Sequence, residues 1–107
     1  MTNLKSEFWV KAYLKRLSLE GISGFVVRHG DDDAGELLIK ISTLDGNAKL
    51  FQREYNLDTG YRIWNCTFSG AEKDADTSIK TQSGFDPDLW ILEIEDVQGR
   101  HFLDSII

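Results

Sequence analysis

The sequence predicts an α+β fold in which an N-terminal helix packs on an antiparallel sheet of about five strands, a meander of four followed by a short helix and a fifth strand. Three observations predict it. A segment free of Gly and Pro with helical apolar spacing opens the chain; four β-branched and aromatic runs follow, separated by short turn-forming stretches; a last apolar run comes after a polar, helix-like interval. The 107 residues suit one domain, 1–107, able to bury a core without staples, and 41 % hydrophobic with 28 % charged residues is an ordinary globular balance.

The first helix is predicted from Leu4 to Glu20, with Gly21 in the left-handed position that ends it and Ile22 closing on Leu17. At 100° per residue Val10, Tyr13, Leu14 and Leu17 form one apolar stripe, Phe8, Ala12 and Leu19 a second, and Trp9 falls between them. That arc is wider than one sheet face covers. It suits a helix lying in a groove of a curved sheet, or one whose Phe8 and Trp9 reach a second protein.

Strands are predicted over Ile22–Arg28, Glu36–Ser42, Ala48–Tyr55 and Tyr61–Phe68. The first two read as a hairpin with the long acidic loop His29–Gly35; Asp45-Gly46 is a strong hairpin signal between the second and third. Ser69 with Glu72 forms a capping-box pattern for a helix over 71–82, packed on the same sheet face as the first. Leu89–Glu95 is apolar on both faces where it begins and so belongs inside the sheet, and His101–Leu103 pairs back after the Val97–Arg100 turn. The predicted core is Trp9, Tyr13, Leu17, Val26, Ile39, Ile41, Leu50, Trp64, Trp90, Leu92 and Ile94.

A net charge of −6 repels nucleic-acid phosphate and anionic lipid, and the basic residues Lys5, Lys11, Lys15 and Arg16 of the first helix are offset by Glu7 and Glu20. No nucleic-acid or membrane partner is expected, and no run approaches membrane-spanning length. Cys66 is the single cysteine; with Trp64 and Phe68 on its strand face it reads as a small buried hydrophobe, and the cytoplasm is the expected location.

Sites are few. Asp31-Asp32-Asp33 beside His29 is too short for a calcium loop, and one cysteine with two histidines cannot close a zinc site, so no metal or cofactor is expected. The sequence contains no phosphate-binding glycine loop and no nucleophile or metalloprotease motif. Glu93 and Glu95 share a strand face, and His101 approaches Glu95 if the tail folds back, which would make an acid–base or ligand site with Arg28 holding an anion. The plainer alternative pairs the carboxylates across strands with Lys40 or Arg62.

The Leu4–Leu14 segment, the Arg28-His29-Gly30-Asp31 turn, Phe85-Asp86-Pro87-Asp88-Leu89-Trp90 and Gly99-Arg100-His101-Phe102-Leu103 together resemble the domain of unknown function 1491 family, short proteins found mainly in alphaproteobacteria. The resemblance covers nearly the whole chain, is most specific in the Phe85–Trp90 segment, and departs from expectation at His29, where a second arginine is anticipated. It implies a size but no activity and no catalytic residue. The expected role is a small binding or adaptor domain acting through Phe8, Trp9 and Arg28 on a protein partner or a second copy; the rival is a small enzyme or ligand-binding domain around Glu93, Glu95 and His101.

Overall fold

A computed structural model describes residues 4–105, so the expected domain limits 1 and 107 lie outside the described residues. The elements run α1 (Ser6–Leu19), β1 (Ser23–Arg28), β2 (Leu37–Ser42), β3 (Asn47–Tyr55), β4 (Arg62–Ala71), α2 (Glu72–Phe85) and β5 (Trp90–Glu95), then a 3-10 turn over Leu103–Ser105. The α+β class stands. The strand order is β1-β5-β2-β3-β4, and β5 runs parallel to β2 while every other pairing is antiparallel.

The predicted β1–β2 hairpin and the wholly antiparallel sheet are therefore corrected: β5 lies between these two strands. The physical reason is burial on both faces. β2 is buried at every position and β5 at four of six, including its first three, so the two strands belong side by side at the centre, covered above and below. The meander is real only from β2 to β4, where the Asp45-Gly46 turn forms with Gly46 at φ 90°.

The helices cover opposite faces rather than one. Trp9, Val10, Tyr13 and Leu17 of α1 meet Leu37, Ile39, Ile41, Trp90, Leu92 and Ile94, whereas Ala75 and Ile79 of α2 meet the alternate residues Leu38, Leu50 and Ile91. Helix α1 ends as anticipated. Gly21 N–H donates to Ser18 O and Ile22 N–H to Leu17 O, with Gly21 at φ 72°. Helix α2 has no capping box, since β4 continues through Ser69 and the chain enters the helix at once.

Opposite Leu50 and Phe51, β4 carries one extra residue, Thr67. That bulge puts Cys66 and Phe68 on different faces, so Cys66 is exposed instead of enclosed by aromatics. Of the predicted core, Val26 (38 % exposed) lies outside it because β1 is an edge strand, and Trp64 is only partly buried. The expected pairing of His101–Leu103 is replaced by the 3-10 turn.

Separating β1 from β2 forces residues 29–36 to arch over the start of β5. The arch is bolted down. Asp31 N–H donates to Asp88 O, Trp90 Nε1–H donates to Asp31 O at 2.7 Å, and the His29 ring lies 4.0 Å from that of Trp90. Its other side receives α1: Ser6 N–H and Glu7 N–H donate to the carbonyls of Asp33 and Asp32, meeting donors that α1 would otherwise leave unpaired.

A Cβ on Gly30 would lie 2.3 Å from Asp88 O and 2.6 Å from the Trp90 ring, whereas one on Gly84 meets nothing within 4 Å. Urea unfolding should therefore show Gly30→Ala losing about 2 kcal/mol by overpacking. Gly84→Ala should gain about 0.5 kcal/mol by restricting the unfolded chain. Equal effects of the two substitutions would mean that the arch is not clamped.

Candidate functional site

Of the residues expected at a partner surface, Phe8 is 52 % exposed and Trp9 is 3 % exposed. The indole of Trp9 stacks on Tyr13 at 4.8 Å and meets Trp64 at 5.2 Å, so Trp9 is core. The second stripe of α1 does face outward: Phe8, Ala12 and Leu19 are exposed, Leu19 at 70 %, with Leu4 one turn before Phe8. Arg28 is occupied. Its guanidinium donates to the carbonyl oxygens of Ser83, Asp86 and Pro87, closing the C-terminal end of α2 and the proline turn.

The acidic candidates lie across the sheet from their expected partner. Glu93 points to the α2 face, where the Lys40 ammonium, 5 % exposed, donates to Asp76 at 2.7 Å and lies 2.8 Å from Glu72 and 3.4 Å from Glu93. Glu95 follows on the same face, opposite Ser42 of β2 and Ser23 of β1. His101 packs on Phe51, a member of the α1-side core, at 4.7 Å, and its Nδ1 accepts from Leu103 N–H. Burial lowers the His101 pKa, with smaller opposing and reinforcing effects from Asp104 and Lys49. The sheet itself separates the histidine from Glu93 and Glu95. Asp96 is bound to Arg100, whose hydrogen bonds hold its carboxyl below the usual range.

A concave feature that sequence reading missed lies where the β3–β4 hairpin overhangs β2, whose pairing with β3 ends at Leu38–Gln52. It is a cleft of about 420 Å³ with a floor of Leu37 and Leu89, both buried. Gln52 and Gln82 face each other across it, the Gln52 amide donating at 2.8 Å. Arg53, Arg62 and Glu36 stand along one side, and Phe85, 85 % exposed, stands at the mouth. Phe85, Asp86 and Leu89 all come from the segment that is most specific in the sequence. The signal that could have located the cleft is Arg53, a cation two residues after Phe51 on the core-facing side of β3.

Among the described residues no group of three or more His, Cys, Asp or Glu side chains is placed to hold a metal ion, and no helix is long and apolar enough to cross a membrane.

Comparison with known proteins gives concordant results. The family model described as "Protein of unknown function (DUF1491)" matches residues 4–104. The crystal structure of a DUF1491 family protein from Caulobacter crescentus is 39 % identical, with a TM-score of 0.86 over 94 % of this chain and 95 % of that one. An NMR structure of a DUF1491 family protein from the same organism is 38 % identical, with a TM-score of 0.83 over 96 % and 94 %. A solution structure of an A. tumefaciens protein is 25 % identical, with a TM-score of 0.75 over 88 % and 86 %. No curated protein matches the chain.

The Lys40 cluster yields a pH signature. Burial alone would lower the lysine pKa, but hydrogen bonds to Asp76 and Glu72 and the field of Glu93 outweigh it and raise the pKa above its ordinary 10.5. A raised folded-state value means that the contribution is complete below pH 10.5 and is lost as pH climbs beyond it. Lys40→Met should lose about 2 kcal/mol at neutral pH. The gap between variant and natural protein in denaturant midpoint should narrow above pH 10.5; a gap independent of pH would show that the cluster contributes packing alone.

Proposed function

The chain belongs to the DUF1491 family, whose model is described as a protein of unknown function, and we propose on the evidence of its own surface that it is a small binding or adaptor domain acting through protein–protein contacts in the cytoplasm. One observation carries the reading: Phe8, Ala12 and Leu19 on the outward side of α1, with Leu4 just before the helix, are apolar and exposed while the inward stripe already fills the core. The helix thus bears a second apolar face that the fold does not use, and such a face on a helix suits contact with another apolar surface. Lys15 stands within this face between Ala12 and Leu19, and Lys11 borders it, so the complementary surface is apolar and carries acidic groups. The single cysteine accords with a reducing compartment.

The acid–base reading around Glu93, Glu95 and His101 has less support, because these side chains do not converge. The Arg28 guanidinium is engaged by the end of α2 and the proline turn.

The test uses Phe8→Ser with Leu19→Ser, which leaves buried Trp9 untouched. Both positions are exposed, so unfolding midpoints should shift by no more than about 0.5 kcal/mol. The natural protein, carrying a photo-crosslinker at Lys15, should form a discrete adduct in its native cells that the double variant does not form. Light scattering then asks whether the adduct is a second copy. Identical adducts from both forms, or none from either, would remove the adaptor reading.

A further inference from the structure

Several cations among the described residues are held by named partners, and Arg53 differs from them. Lys40 has three carboxylates, Arg28 three carbonyls, and Arg62 the carboxylate of Glu36 at 2.6 Å. Arg53 is the exception. Its Nε is buried with no hydrogen-bond partner, and the guanidinium makes no ion pair with any described residue. It rests instead on aromatic faces, 5.4 Å from the Trp64 ring centre and 6.0 Å from that of Trp9.

Stacking on tryptophan favours the cation but uses the ring faces, and it leaves the buried Nε–H unmet. Burial and the neighbouring charge of Arg62 both act against the charged form, while Glu36, already engaged by Arg62, only partly offsets them. A guanidinium has no accessible neutral form at ordinary pH, so the imbalance is relieved by an anion rather than by deprotonation. Water can solvate the exposed part of such a group, but it does not supply the missing charge.

Arg53 lines a cleft with both apolar and polar residues. We propose that the cleft beneath the β3–β4 hairpin is a carboxylate-binding site, in which the Arg53 guanidinium receives the anion and the apolar wall of Leu37, Leu89 and Phe85 takes the body of the ligand. The volume of about 420 Å³ falls in the range of small-molecule sites. The amides of Gln52 and Gln82, hydrogen-bonded to each other, also line the cleft.

Charge selects the class of anion. Glu36 is engaged by Arg62, and the Asp86 carboxylate accepts from Asp88 N–H, so Arg53 offers one unmatched positive charge, which a carboxylate matches and a dianionic phosphate exceeds. A planar carboxylate also matches the guanidinium fork. Two sources carry this chemistry, a free aryl or alkyl carboxylate and the C-terminal carboxylate of a peptide ending in an apolar residue. The site lies apart from the outer stripe of α1, so neither proposal depends on the other.

The experiment titrates the isotope-labelled protein with phenylacetate, with its neutral isostere phenylacetamide, and with inorganic phosphate, following the Arg53 Nε–H and the amides of Leu37, Gln82 and Phe85 by NMR. Phenylacetate should give saturable shifts, and phenylacetamide should bind about tenfold or more weakly, the factor expected for loss of a charge-assisted hydrogen bond. Arg53→Gln should abolish the preference for the anion. Equal binding of acid and amide, tighter binding of phosphate, or undiminished phenylacetate binding by Arg53→Gln overturns the proposal. Should Arg53→Gln fail to fold, the acid–amide comparison on the natural protein decides alone. A peptide ending in Phe, with free or amidated terminus, then distinguishes the sources: dependence on the free terminus with tighter binding than phenylacetate marks a chain end, weaker binding a free carboxylate, and either ranking upholds the site.

Discussion

The structure depends on the placement of β5 between β1 and β2. Two strands consecutive in sequence are thereby held two strand spacings, roughly 10 Å, apart. Everything near the arch follows from that separation: the eight-residue span over the start of β5, the glycines pressed on Asp88 O, and the Trp90 indole donating to Asp31. The arch in turn seats the first turn of α1 through the carbonyls of Asp32 and Asp33. One topological choice thus links α1, the acidic loop and the Phe85–Trp90 segment, and the aspartates of that loop are used in structure: the carboxylate of Asp31 accepts from Asp33 and Ala34 N–H.

Charge is distributed by the same frame. The parallel register of β2 and β5 brings Lys40 opposite Glu93, and α2 adds Glu72 and Asp76 above them. The edge strand β1 sends Arg28 to the end of α2, so the helix is fixed by electrostatics at both ends of its span. Against this pattern of matched groups, the buried Nε of Arg53 has no hydrogen-bond partner among the described residues.

What could be read from the sequence was whatever is encoded locally. The α1 stripe, the Gly21 ending, the Asp45-Gly46 turn and the two-faced apolar character of β5 are all properties of a few neighbouring residues. Strand order is not: β1 pairs with β5 rather than β2, a choice made across some seventy residues. The bulge at Thr67 reverses the alternation of β4, so Phe68 could not be assigned to its face by counting in twos. For the candidate sites, the cross-strand pairing of Glu93 with Lys40 was visible as an alternative to chemistry. The position of Trp9 between Tyr13 and Trp64, and the carbonyls that engage Arg28, required the tertiary structure.

The central position of a strand made so late in the chain has a consequence for biogenesis. As the polypeptide leaves the ribosome, β2, β3 and β4 can assemble by short-range turns, but β1 has no edge to join until β5 has emerged. During that interval the inner faces of α1 and β2 lack their principal cover, so nascent chains pass through a stage that suits holding by a chaperone. Truncation within β5 removes two sheet pairings at once, leaving quality-control proteases an unclosed sheet rather than a slightly weakened fold.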